Sequence, residues 1–175
     1  MSGTPTGAGE LRALADRQAI TDLIYRYCRS MDRIDAELGY SLWHDGAVVD
    51  YGGIYRGSGR GFIDFVCEQH RRALSHSHQI SNVLIELDGD RAASESYVTA
   101  TLRMSNAGKL QQVTVWARYI DRWSCREGRW GIDERVAIID FDEIREVVPL
   151  SDTRLGRRDA SDPSYAVLSA KGLGR

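Results

Sequence analysis

Apolar residues in the N-terminal part of the chain recur every three or four positions, the spacing of an amphipathic helix. The pattern predicts a first helix from Glu10 to Ser30, a second from Asp35 to Trp43 and a third from about Arg60 to Arg72. His44 and His70 fall near the ends of these predicted helices, where we expect surface positions.

The period of the pattern changes after the second helix. Val48–Tyr51 and Ile54–Arg56 flank Gly52-Gly53, which predicts a β-hairpin. From Ser75 onward, long runs rich in β-branched and aromatic residues alternate with short turn sequences that contain glycine. Because the turns are short, we expect these strands to be antiparallel neighbours. The predicted strands are Ser75–Leu87, Arg91–Met104, Leu110–Trp123 and Arg129–Ile139.

The order of elements, helices first and then a meander of strands, is typical of an α+β fold rather than a doubly wound one. A long twisted sheet that curves around helices leaves a cavity where the helices do not fill its concave face. We predict one domain over residues 10–141. Residues 1–9 are expected to form a disordered leader, and residues 142–175, where the pattern fades, a C-terminal extension at a subunit interface.

Composition and charge narrow the range of functions. Hydrophobic residues make up 42% of the 175 positions and charged residues 27%, and the net charge is −2 with both signs interspersed. We therefore expect no nucleic-acid partner, and the short apolar stretches predict no membrane span. The three cysteines are widely spaced, which argues against a disulfide framework or a zinc ribbon. The N-terminus does not resemble a signal peptide, so we expect a cytoplasmic location.

The strand that opens the meander carries a candidate catalytic residue. Side-chain alternation places His78 on one face with His76, Ile80, Asn82 and Leu84, a mixed face typical of a pocket wall. Judged from this strand alone, His78 is better explained as a half-exposed histidine that is hydrogen-bonded to a neighbour. A pair of imidazoles on one strand face can also begin a metal site.

Neither a metal nor a cofactor is expected from the sequence. The nearest carboxylate after His76 and His78 on that strand, Glu86, is too far along it to complete a metal site. The glycines of Gly57–Gly61 lack the lysine of a phosphate-binding loop and are better explained as a turn into a helix. Asp32, where the first helical pattern ends, is either a surface carboxylate or a cap for the following helix.

Taken together and in order, these residues resemble the SnoaL-like branch of the nuclear transport factor 2-like superfamily. Within it, they are most similar to the group of hexachlorocyclohexane dehydrochlorinase, scytalone dehydratase and bile-acid 7α-dehydratase. The resemblance implies a cone-shaped fold, in which a curved mixed or antiparallel sheet wraps around three N-terminal helices. It runs from about Leu11 to Phe141 and rests on Ala19–Tyr27 in the first helix, Met31-Asp32 at its end, Tyr51, His78-x-x-x-Asn82, and Trp130 followed by Arg135.

By this resemblance, His78 matches the family's catalytic histidine and Asp32 the aspartate that pairs with it. Tyr27 matches a tyrosine of the bile-acid dehydratase type, Tyr51 a pocket tyrosine, and Arg135 an arginine of the dehydrochlorinase type. Such residues suit a β-elimination, in which an imidazole removes an activated proton, a carboxylate supports the imidazolium, and hydroxyls or a guanidinium hold the developing anion. The cavity is expected to be lined also by Tyr119, Val115 and Asn82.

The chain departs from the family patterns in two places. Tyr27 stands where the dehydrochlorinase type has a lysine, which favours dehydration over haloalkane chemistry. The second strand histidine of scytalone dehydratase has no counterpart, because no histidine follows Asn82.

These observations predict a cofactor-independent lyase or isomerase whose partner is a small hydrophobic molecule, a polycyclic or aromatic hydroxy-ketone. Two alternatives stay open: a non-catalytic binding or structural subunit, such as the β-subunit of an aromatic-ring dioxygenase, and an enzyme of the polyketide-cyclase or epoxide-hydrolase type. A paired Asp32 and His78 favours the lyase over the structural subunit. Since the resembling dehydratases are trimeric, we expect a homotrimer, with a homodimer as the alternative.

Overall fold

The computed structural model describes residues 7–151 and 156–168, which form helices packed on a six-stranded mixed sheet. The strands are ordered β2-β1-β6-β5-β4-β3. The predicted α+β fold, with N-terminal helices and a curved sheet, is confirmed. In chain order the elements are α1 (Gly7–Arg33), α2 (Ala36–Tyr40), β1 (Trp43–Asp50), β2 (Arg56–Ser58), α3 (Gly59–Arg72), β3 (Ser75–Asp88), β4 (Arg91–Asn106), β5 (Lys109–Arg126), β6 (Arg129–Glu146) and α4 (Pro163–Leu168).

The long strands β3 to β6 pair antiparallel in succession, as their short turns predict. In two of the three turns, Ala107-Gly108 and Glu127-Gly128, both central residues have positive φ angles between 49° and 78°. These angles belong to tight hairpin turns whose twist matches that of the strands. At the other side of β6, β1 pairs parallel to it and antiparallel to β2.

The second predicted helix is too long and the second strand of the hairpin is misplaced. The helix ends at Tyr40, and Trp43 opens β1 because Ile132 of β6 already donates its N–H to the carbonyl of Leu42 at 2.9 Å. In the hairpin, the N–H of Tyr51 donates to the carbonyl of Tyr55 at 2.8 Å, which makes residues 51–55 the turn. The returning strand is therefore Arg56–Ser58 rather than Ile54–Arg56.

The core lies between the helices and the concave face of the sheet. The helix α1 contributes side chains at spacings of four, three and four, namely Ile20, Ile24, Tyr27 and Met31, each at most 1% exposed. Three of the four tryptophans, Trp43, Trp123 and Trp130, are buried in the same core. None of the helices in the described part of the chain is long and apolar enough to cross a membrane.

Both ends of the described chain depart from the sequence-based picture. Residues 7–9 belong to α1, while the rest of the predicted leader lies outside the described residues. The strand β6 continues past the predicted domain limit, pairing as far as Glu146 with β5. Beyond it, the segment of residues 156–168 packs against the same chain: the Tyr165 hydroxyl donates to Asp35 at 2.7 Å, and Arg158 donates to the carbonyl of His70 at 2.7 Å.

Candidate active site

Asp32 and His78 form a hydrogen-bonded pair between the last turn of α1 and the start of β3. One carboxylate oxygen of Asp32 lies 2.7 Å from Nδ1 of His78, and the other accepts the backbone N–H of His78 at 3.1 Å. The two side chains are 17% and 7% exposed, respectively. Because Nδ1–H donates to the carboxylate, the free lone pair lies on Nε2, and Nε2 is the atom that can accept a proton.

The local sequence explains why Asp32 is available for this pair. After α1 the chain turns sharply at Ile34, whose φ angle of 51° is in the left-handed region. Asp35 then accepts the N–H of Leu38 at 3.0 Å and caps α2. Asp32 therefore does not serve as the cap, and its carboxylate is bound by β3 instead.

His78 lines an apolar cavity of about 370 Å³ between α1, α3 and the concave face of the sheet. Among the described residues that line it, none is an aspartate, glutamate, lysine or arginine. Asp32 does not line this cavity. It lines a separate outer groove, which His78 also lines. Four residues expected in the cavity lie in its wall: Tyr27, Tyr51, Tyr119 and Val115.

A tyrosine cluster forms the polar part of the cavity wall away from the histidine. The hydroxyls of Tyr27 and Tyr51 are 2.7 Å apart and hydrogen-bonded. The ring of Tyr119 meets that of Tyr27 edge-on, with centroids 5.5 Å apart. Burial raises the pKa values of all three tyrosines, strongly for Tyr27 and Tyr119. The hydroxyls are therefore protonated at neutral pH and can donate hydrogen bonds.

Arg135 does not line the cavity, contrary to expectation. Its side chain is 0% exposed and donates to the Asp121 carboxylate at 2.6 and 2.8 Å. Its guanidinium carbon lies 4.1 and 4.2 Å from the ring centroids of Tyr27 and Tyr119, which cover it. A bulge at Asp133 precedes it and lets Ile132 and Arg135 both face inward. A buried guanidinium needs such partners. Arg135 therefore packs against the Tyr27 and Tyr119 rings and is not exposed to the cavity.

Asn82 also lies outside the cavity wall in which it was expected. It occupies a bulge in β3 with a φ angle of 49°, where the register with β4 shifts between Ser81 and Val83. The extra residue reverses the alternation, so Asn82 and Leu84 are exposed while Val83 is half-buried in the core.

Sequence reasoning missed two buried histidines. His70 is 6% exposed and lines the cavity, and His44 is 5% exposed, so the predicted surface positions are wrong. The signal was present for His70, because Phe62, Ile63 and Cys67 mark the buried face of α3 and His70 continues their spacing.

The two strand histidines that suggested a metal site have other partners. Nε2 of His76 lies 2.8 Å from the carbonyl of Met31, and Nδ1 of His78 is bound to Asp32. Within residues 7–151 and 156–168, no group of three or more histidine, cysteine, aspartate or glutamate side chains has a metal-binding arrangement.

The model of the SnoaL-like domain matches residues 12–136, and the chain therefore belongs to the SnoaL-like family. No curated protein gives a significant match.

Solved structures give the fold class. A hexachlorocyclohexane dehydrochlorinase of type 2 is 19% identical with a TM-score of 0.71, over 84% of this chain and 99% of that one. A proposed scytalone dehydratase from Novosphingobium aromaticivorans is 19% identical with a TM-score of 0.67, over 81% and 97%. A nuclear transport factor 2-like protein with a cystatin-like fold, from the same species, is 22% identical with a TM-score of 0.65, over 79% and 92%. At these identities the likeness shows the fold.

Proposed function

We propose that this protein is a lyase of the dehydratase type, or an isomerase, that acts without a cofactor on a small polycyclic or aromatic hydroxy-ketone. The hydrogen bond between Asp32 and His78, with His78 facing an apolar cavity, carries the proposal. A histidine held in one tautomer by a carboxylate is suited to remove a proton, because the carboxylate stabilises the imidazolium that forms.

The proposed reaction begins at a C–H bond next to a carbonyl group. Nε2 of His78 takes the proton, and the electron pair of the C–H bond moves toward the carbonyl oxygen. In a dehydration, the C–O bond at the next carbon then breaks, a C=C bond forms, and the proton leaves with the hydroxyl as water. In an isomerisation, His78 returns the proton to another carbon. In both reactions His78 returns to its neutral form, so neither reaction requires a cofactor or a second substrate.

The tyrosine cluster is suited to hold the oxygen on which negative charge develops. One hydroxyl of the Tyr27–Tyr51 pair donates to the other, which leaves a second hydroxyl proton for a ligand. The positive charge of Arg135, fixed 4.1 Å behind the Tyr27 ring, favours negative charge on this side of the cavity. Because Arg135 touches the tyrosines and not the cavity, its part is to position and polarise them.

The cavity supports an uncharged ring system as the substrate class. A volume of about 370 Å³ is at the small end of ligand pockets, and the apolar walls give no counter-charge to a carboxylate or phosphate. Two structural neighbours bear names of elimination enzymes, a dehydrochlorinase and a proposed dehydratase, which supports the same reaction class.

Deuterium exchange of 2-tetralone in D2O tests proton abstraction without the natural substrate. The acidic protons next to its carbonyl group are followed by NMR, and we expect the wild-type protein to accelerate their exchange. His78→Ala should slow the catalysed exchange by about 10²–10⁴-fold. Binding of the fluorescent ligand 2-naphthol to the variant checks that the cavity is intact.

The outcomes separate the functions that the sequence left open. Exchange that His78→Ala leaves unchanged would place the base elsewhere. A wild-type protein that binds 2-naphthol but does not accelerate exchange would favour the binding subunit over the enzyme.

A further inference from the structure

His70, near the end of α3, is a second imidazole in the cavity wall that the proposed reaction does not use. Its ring centroid lies 5.5 Å from that of His78, and its side chain is 6% exposed. Its backbone carbonyl accepts a hydrogen bond from Arg158 at 2.7 Å, which ties this end of the helix to the C-terminal segment. The ring is therefore held beside the proposed base.

One nitrogen of this ring has no hydrogen bond within the described protein. Nδ1 of His70 is buried and lacks a partner among the described residues. A buried nitrogen without a hydrogen bond is a rare exception, and the ring that carries it lines the cavity, where a ligand oxygen can pair with an imidazole nitrogen. Nδ1 of His76 is also without a partner, but His76 does not line the cavity and its other nitrogen contacts the Met31 carbonyl.

His70 is uncharged at the pH where a histidine base works. Burial, together with the neighbouring His76 and His78, lowers its pKa to about 3. A neutral imidazole can donate one hydrogen bond and accept another, but it supplies no positive charge. It is therefore suited to a hydroxyl or a keto oxygen and not to a carboxylate.

We propose that His70 binds an uncharged oxygen of the substrate, a hydroxyl or keto group close to the carbon from which His78 removes the proton. This inference rests on the proposed function, because it assigns the substrate to the same cavity. A molecule in contact with both rings presents a C–H group to His78 and an oxygen to His70 on the same or a nearby carbon. His70 would thus select hydroxy-ketones over hydrocarbons of the same shape.

Two ligands that differ by one hydroxyl group test the proposal. The affinities of 2-naphthol and naphthalene are measured by fluorescence for the wild-type protein, His70→Phe and His70→Asn. We expect the wild-type protein to prefer 2-naphthol, and His70→Phe to lose about three- to tenfold of this preference, the worth of one hydrogen bond. Naphthalene affinity should change little. Since the Asn amide can donate or accept a hydrogen bond in place of the imidazole, His70→Asn should restore part of the preference.

The comparison distinguishes this proposal from a structural role and from the proposed function. A structural role would lower both affinities together and leave their ratio unchanged, which would overturn the assignment of His70. If His70→Phe damages the cavity, His70→Leu takes its place in the same comparison, and an unchanged ratio in that variant would overturn the assignment. Failure of both ligands to bind the wild-type protein would contradict the proposed function itself, and with it this inference. Unchanged preference in His70→Phe, with 2-tetralone exchange intact in the wild-type protein, would overturn only the inference.

Discussion

Replacing Asp32 by asparagine tests whether the carboxylate charge supports the reaction. The substitution keeps the shape of a group that lies 2.7 and 3.1 Å from two nitrogens of His78 but removes its charge. Two unit charges about 4 Å apart, at an effective dielectric constant of about 20, attract by about 4 kcal/mol. If the imidazolium of His78 loses this attraction in the transition state, the rate should fall roughly a thousandfold. Because Asp32 is 17% exposed, water screens part of the charge, and we expect a loss of about 10²–10³-fold.

The assay measures the exchange rate of 2-tetralone at constant neutral pD. Enough enzyme is used for the catalysed exchange to be faster than the uncatalysed exchange. Asp22→Asn is the matched control, since Asp22 lies on the exposed face of the same helix and the substitution removes the same charge. Circular dichroism checks that both variants retain the fold. The reasoning is refuted if Asp32→Asn exchanges at a rate close to that of Asp22→Asn while wild-type exchange still depends on His78.

Three further predictions concern stability and assembly. Arg135→Met leaves Asp121 buried without its partner, so denaturant unfolding should show a loss of about 3–5 kcal/mol; Arg122→Met, at an arginine that is 77% exposed, should cost little, and equal losses would contradict the buried pair. The folded-state pKa of His70, about 3, lies below its ordinary 6.5, so the unfolded chain takes up a proton that the folded protein refuses as pH falls. As the pH falls from 6.5 to about 3, the unfolding free energy of the wild-type protein should therefore decrease more steeply than that of His70→Phe, by up to about 1.4 kcal/mol per pH unit. Equal slopes would contradict the lowered pKa of His70. Phe141, 60% exposed and stacked on a tryptophan, should help to form the expected homotrimer or homodimer, so that Phe141→Asp dissociates it in light scattering; a monomeric wild-type protein at micromolar concentration would contradict this expectation.

The order and type of the elements could be predicted because each has a local cause in the sequence. The helical spacing from Leu11 to Tyr27 and the glycines of the turns at Gly108 and Gly128 determine structure over a few residues. The ends of elements were less accurate. Trp43 continues a helical pattern, but its partner in β6 is far away in the chain, and the sheet determines its conformation.

The errors in the site arise at bulges and at long-range pairs. A bulge inserts one residue and reverses which side chains face inward, and the only local sign at Asn82 is a residue type that tolerates a left-handed backbone. The partnership of Arg135 with Asp121 depends on the register of two strands, which neither residue reveals by itself. The residues around His78 could therefore be predicted in part from the sequence. The ion pair of Arg135 is apparent only when the pairing of the strands is known.

The uncharged lining of the cavity has a consequence for how binding responds to temperature. Moving an apolar ring from water into such walls removes hydrocarbon surface from hydration on both sides, which gives a negative heat-capacity change. Calorimetric titration of 2-naphthol at several temperatures should therefore show a binding enthalpy that becomes more favourable on warming. A ligand whose affinity came mainly from the histidines and tyrosines would show a much flatter enthalpy, so the slope measures how much of the recognition belongs to the walls.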